Sequence, residues 1–73
     1  MINVGFVTEE SAISALDGTA VVVTTLDGVQ AVGIMTPFVP QDGTTTMVQI
    51  REVISDELVL ATDIRRLKEI WVP

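Results

Sequence analysis

Apolar and polar positions alternate most clearly in the middle of the chain. From Thr19 the composition turns to Val and Thr, whose branched side chains suit a pleated strand, and TAVVVTTL reads as one strand ending at Asp27-Gly28. Asp-Gly between two such runs is the strongest short-range hairpin signal, because a two-residue turn needs positive φ. Beyond it VQAVGIMTPF alternates, with Val32, Ile34 and Phe38 on one face and Ala31, Gly33 and Met35 on the other. PQDG (40–43) reads as a loop, and TTTMVQIREVI (44–54) as a third strand with Met47, Gln49 and Arg51 opposite Val48 and Ile50. Ser55-Asp56 makes a turn, ELVLA (57–61) a fourth strand and Thr62-Asp63 a very short connection.

The flanks carry other periods. Residues 1–7 form a short apolar lead. Thr8 is a good N-cap, Glu9 and Glu10 suit the first turn of a helix, and Ala12, Ile13, Ala15 and Leu16 give it one apolar face before Gly18 stops it. A helix is predicted over 9–16. The last segment, IRRLKEIWV, fits two structures. Ile64, Leu67 and Ile70 are spaced by three, as in a short helix capped by Thr62. A tight turn followed by a fifth strand, with Leu67, Glu69 and Trp71 on one face, fits equally.

Glycine sharpens the architecture. Gly28 serves the hairpin, whereas Gly33 stands in mid-strand, where glycine marks a bend or a close approach. So few strands close only if they bend strongly. The chain therefore predicts a single domain over 1–73, mainly β: an N-terminal short helix, then a small, strongly bent five-stranded antiparallel barrel. In an open barrel of this type the fourth and last strands carry unpaired edges. ELVLA has one acid and neither Pro nor Lys to blunt its edge. Head-to-tail pairing with the next copy would satisfy both edges and, if the rotation closes, make a ring.

Composition narrows the function classes. At 73 residues the chain sits at the lower limit for one core. It has no cysteine, hence no disulfide or thiolate chemistry, and no histidine, hence neither the commonest general base nor the commonest zinc ligand. Oligomerisation is the remaining route to extra stability, and 48% hydrophobic residues with a mean hydropathy of +0.53 point the same way. A net charge of −6 opposes a surface that tracks phosphates. No apolar run approaches the ~20 residues that cross a bilayer. MINVGFVTEE lacks the basic region of a signal peptide, so a soluble cytoplasmic protein without membrane contacts is expected.

The stretch VVVTTLDGVQAVGIMTPF resembles the first Sm motif of Sm-like (LSm) proteins, of a divergent bacterial or phage type. Val21, Val23, Asp27, Gly28, Gly33, Met35 and Phe38 carry the resemblance. In the second motif Val59, Ile64 and Leu67 keep the apolar spacing, while the Arg-Gly positions hold Leu60 and Ala61. In the loop after Phe38 the family's polar positions fall on Val39 and Gly43, and its base-stacking position on Gln41. The resemblance implies a homo-oligomeric ring of about five to seven subunits acting as a binding scaffold, with RNA as ligand, although the residues of the usual uridine pocket are replaced. The alternative is a non-enzymatic protein-interaction or structural module, of phage or mobile-element type, that binds another protein.

Candidate contacts to RNA or a partner are Phe38, Gln41, Thr62, Arg65, Arg66 and Lys68. The last three contain three of the four cations and could meet phosphates or an acidic partner, or could form a solvated edge balancing Asp63 and Glu69. The acids sit at helix starts and turns (Glu9, Glu10, Asp27, Asp42, Asp56, Glu57), where capping explains them. No nucleophile–base–orienter set can be assembled, so no enzyme, catalytic residue, cofactor or metal is predicted. Gln41-Asp42-Gly43 lacks the regularly spaced acids of a calcium loop. Phe6, Phe38 and Trp71 are the only aromatics, too few for a stacking platform, and Trp71 is expected to cover a barrel mouth or a neighbour.

Overall fold

The computed structural model describes residues 1–5 and 7–73; Phe6 lies outside them. In chain order the described residues form β1 (Ile2–Val4), α1 (Glu10–Ser14), β2 (Ala20–Thr25), β3 (Gln30–Phe38), β4 (Met47–Arg51), β5 (Leu58–Asp63), a 3-10 turn (Ile64–Arg66) and β6 (Leu67–Val72). The strands make one sheet in the order β1-β6-β2-β3-β4-β5, each neighbouring pair antiparallel.

This is a small β fold, but it is an open sheet of six strands and not the expected five-stranded barrel. Among the described residues no ladder joins the two outer strands. The additional strand comes from the apolar lead: Ile2, Asn3 and Val4 pair with Val72, Trp71 and Ile70. The last strand is therefore no free edge, as had been expected, because β1 covers it. The open edges are β5 and β1.

Strand β3 changes partner along its length. Gln30 to Ile34 pair with β2, and Ile34 to Phe38 pair with β4. Gly33 sits at the handover, facing inward, and any Cβ built on it would overlap the Arg51 carbonyl oxygen. The alternation around it places Ala31 and Met35 in the core, with Val21 and Val23 from β2 and Val48 and Ile50 from β4. Ile13 from α1, Ile64 from the 3-10 turn, and Leu67 and Ile70 from β6 complete the cluster.

Of the two structures that fit IRRLKEIWV, the tight turn followed by a strand is the one formed, and the spacing of three in Ile64, Leu67 and Ile70 arises without an α-helix. Ile64 points inward from the 3-10 turn. The register then slips between Thr24 and Thr25, which pair with Glu69 and Leu67, so Lys68 has no partner and is exposed. That bulge brings Leu67 and Ile70 onto the same face. It overturns a face of Leu67, Glu69 and Trp71. Trp71 lies between Asn3 and Val22 in the middle of the sheet, half-buried, instead of covering a mouth.

Other boundaries shift for local reasons. The helix runs only over Glu10–Ser14, its N-cap is Glu9 and not Thr8, and no side chain caps it. Of its expected apolar face Ile13 is fully buried and Ala15 exposed. β4 stops at Arg51, before Val53 and Ile54, because the Glu52 carboxylate accepts hydrogen bonds from the N–H groups of Ile54 and Ser55 and turns the chain there. Thr62 and Asp63 belong to β5, and the Asp63 side chain accepts from the Arg65 N–H at 2.8 Å to start the 3-10 turn. No helix among the described residues is long and apolar enough to cross a membrane.

Two glycine substitutions test this account. Gly33→Ala is expected to cost about 3 kcal/mol by forcing β3 and β4 apart. Gly28→Ala, at φ +88° in open space, is expected to cost about 1 kcal/mol of backbone strain. Urea unfolding midpoints measure both, and equal losses would refute the close approach at Gly33.

Candidate functional site

A concavity of about 360 Å³ opens between the edge strand β5 and the β2–β3 turn. Val29, Met47, Leu60 and Ala61 give it an apolar wall, and Thr25, Asp27, Thr62, Asp63 and Arg66 supply polar groups. Its rim is held by local bonds. The Thr25 hydroxyl donates to the Asp27 carboxylate and accepts the Val29 N–H at 3.0 Å. The Leu26 N–H donates to the Arg66 carbonyl at 2.8 Å, tying the hairpin turn to the 3-10 turn. The buried Thr62 hydroxyl reaches the Asp63 carbonyl at 3.3 Å.

The electrostatics of this rim are balanced. Asp63 accepts from the Arg65 guanidinium and from the Arg65 N–H, with an Nη2 to Oδ2 distance of 2.8 Å, and these bonds hold its carboxyl below the ordinary range. The same pair raises Arg65. The Thr25 hydroxyl and the backbone N–H of Asp27 itself lower the Asp27 carboxyl, with a smaller share from the Arg66 charge. Arg65 and Arg66 thus offset the two carboxylates, Asp63 and Asp27. Such a site can hold a polar group by hydrogen bonds but does not select for negative charge.

A second concavity, about 260 Å³, lies between α1 and the start of the β3–β4 loop. Phe38 and Pro37 line it beside Glu10, Ser14 and Asp17, and the buried Thr46 hydroxyl closes one side by donating to Glu10 Oε1 at 2.7 Å.

The six predicted contact residues do not form one site. Thr62 and Arg66 share the larger concavity, Phe38 lines the smaller, and Gln41 is exposed on the β3–β4 loop and lines neither. Arg65 is exposed and spent on Asp63; Lys68 projects from the bulge. Asp27 and Gly28 make the hairpin turn, and Gly33 acts inside the sheet. Sequence reasoning missed Val29 and Met47 as cavity walls, and nothing in their local pattern marks them. It also missed the exposed pair Val53-Ile54, whose position between Glu52 and Ser55-Asp56 was a readable signal. No protein-family model, curated protein or solved structure matches this chain.

The lowered carboxyls carry a pH consequence. A carboxylate whose folded pKa is depressed stabilises the fold above its unfolded pKa, near 4, and loses that contribution as pH falls through the folded value. The urea midpoint is expected to fall as the pH drops below about 5, and Asp63→Asn should flatten part of that slope. A variant with the full wild-type slope would refute the role of Asp63.

Proposed function

We propose that the chain is a ring-forming Sm-like binding scaffold without enzymatic activity, assembled by pairing β5 of one copy with β1 of the next. The observation that carries this reading is the pair of open edges. β5 runs six residues with one ladder partner, and its Leu58, Val59 and Ala61 are exposed. Six alternating strands leave β1 and β5 running in opposite senses, so a head-to-tail copy continues the antiparallel ladder. Neither edge is guarded by proline or lysine. The Asp-Gly hairpin, the close approach at Gly33 and the short turn before the last strand agree with the Sm-like resemblance. In this chain the edge offered beside the last strand belongs to β1.

A second reading concerns the cargo: protein in place of RNA. It is favoured by the scatter of the cations, since Arg65 is paired and Arg66 sits beside Asp27 and Asp63. Phosphate contacts need unspent Lys or Arg, and stacking needs aromatics among them; Phe38 lies instead beside Glu10 and Asp17.

Light scattering at several concentrations tests the ring. The expected mass is about five to seven times the 7.9 kDa chain, and Val59→Lys should reduce it to that of one chain while the far-ultraviolet circular dichroism stays unchanged. A 7.9 kDa species at every concentration would overturn the proposal. For the cargo, retention of oligo-U or oligo-A on filters at low salt would return RNA to it.

A further inference from the structure

The turn joining β4 to β5 holds two aliphatic side chains in water on a rigid frame. Ile54 is 92% exposed and Val53 63%. Leu58 and Val59, about half exposed, follow at the start of β5 and belong to its edge. The frame is unusually well bonded for an exposed turn. Glu52 Oε2 accepts from the Ile54 N–H at 2.6 Å and from the Ser55 N–H at 2.9 Å. The Glu52 N–H donates to the Glu57 carbonyl and the Asp56 N–H to the Glu52 carbonyl, both at 2.9 Å. Arg51 Nη1 donates to the Asp56 carbonyl at 2.9 Å, and Asp56 itself sits at φ +59°.

Such a turn loses little freedom when something covers it, which is the condition under which a small apolar tip binds well. Its surroundings define what that is. Glu52, Asp56 and Glu57 flank the two side chains, and the one cation of the turn, Arg51, is tied down. The bonds from Ser55 and Ile54 lower the Glu52 carboxyl, so its charge persists at neutral pH. Anionic lipid and nucleic acid are repelled by this ring of acids. A second copy is a poor match: in the larger concavity the one cation, Arg66, already stands beside Asp27 and Asp63, and the smaller carries Glu10 and Asp17.

We propose that the β4–β5 turn is a docking knob for a different protein, whose apolar cleft takes Val53 and Ile54 and whose rim of Lys or Arg meets Glu52, Asp56 and Glu57. Val53 and Ile54 precede the β5 edge that pairs copies, which begins at Leu58, so the tip operates in a single chain or in a ring.

Backbone amide shifts of the full chain, titrated with two synthetic peptides of equal length and charge, test it. One peptide is an amphipathic Leu/Lys helix and the other replaces each Leu by Ser. The Leu/Lys peptide is expected to shift residues 52–59 saturably, and Ile54→Ser, a change in open solvent, to weaken it at least about tenfold. The Lys/Ser peptide should bind far more weakly. Equal binding of the two peptides, shifts centred elsewhere, or unchanged affinity of the Ile54→Ser variant would overturn the proposal. So would turn shifts that grow with protein concentration alone, which would assign the knob to a second copy, or with phosphatidylserine vesicles, which would assign it to a membrane. Loss of the ring in light scattering leaves the peptide result unaffected, so the two proposals fail separately.

Discussion

The contact between the Arg51 carbonyl and the bare face of Gly33 governs the rest of the architecture. It lets β4 cross close to β3 where β3 leaves β2, so one nine-residue strand serves two ladders, with Ile34 common to both. A flat six-stranded sheet would be about 10 Å thick. The molecule instead measures 30 × 26 × 24 Å with a radius of gyration of 11.1 Å, about what a compact chain of this length should have. The sheet is therefore curled upon one of its own faces. That curl is how ten hydrophobic residues become buried although the described residues hold no second sheet and a helix of only one and a half turns.

The curl also decides which parts of the sequence could be read. Between Ala20 and Phe38 every inward residue alternates with an outward one, and the hairpin is local, so period and turn chemistry sufficed. β1 has only three residues, all at least partly exposed, and its partner lies almost a chain length away. Nothing in Ile2-Asn3-Val4 distinguishes a strand from an apolar lead. Reading it correctly requires knowing that β6 would otherwise be bare. The spacing of Ile64, Leu67 and Ile70 left helix and strand open for a different reason. A 3-10 turn followed by a bulge reproduces a helical period without a helix, and the bulge is visible only against Thr24 and Thr25. The candidate site was less legible than the fold. Thr62 and Arg66 come together because β5 ends where the 3-10 turn begins, whereas Phe38 lines the other concavity and Gln41 lines neither.

The acids separate into those the fold uses and those it leaves over. Asp27 fixes the hairpin through Thr25, Asp63 starts the 3-10 turn, Glu10 satisfies the buried Thr46 hydroxyl and Glu52 shapes the β4–β5 turn. In a chain without disulfides these short-range bonds define the turns that strand pairing alone leaves loose. The carboxylates of Asp56 and Glu57 have no such task among the described hydrogen bonds, and they stand beside Ile54, the most exposed apolar side chain among the described residues. Folding explains neither that pairing nor the unguarded edge of β5. Both features belong to one hairpin, whose second strand is the least buried of the five that follow the helix. Segments that bind are drawn from those that contribute least to the core, because only they can gain burial from a partner. The β4–β5 hairpin meets that condition twice, once along its backbone edge and once at its tip.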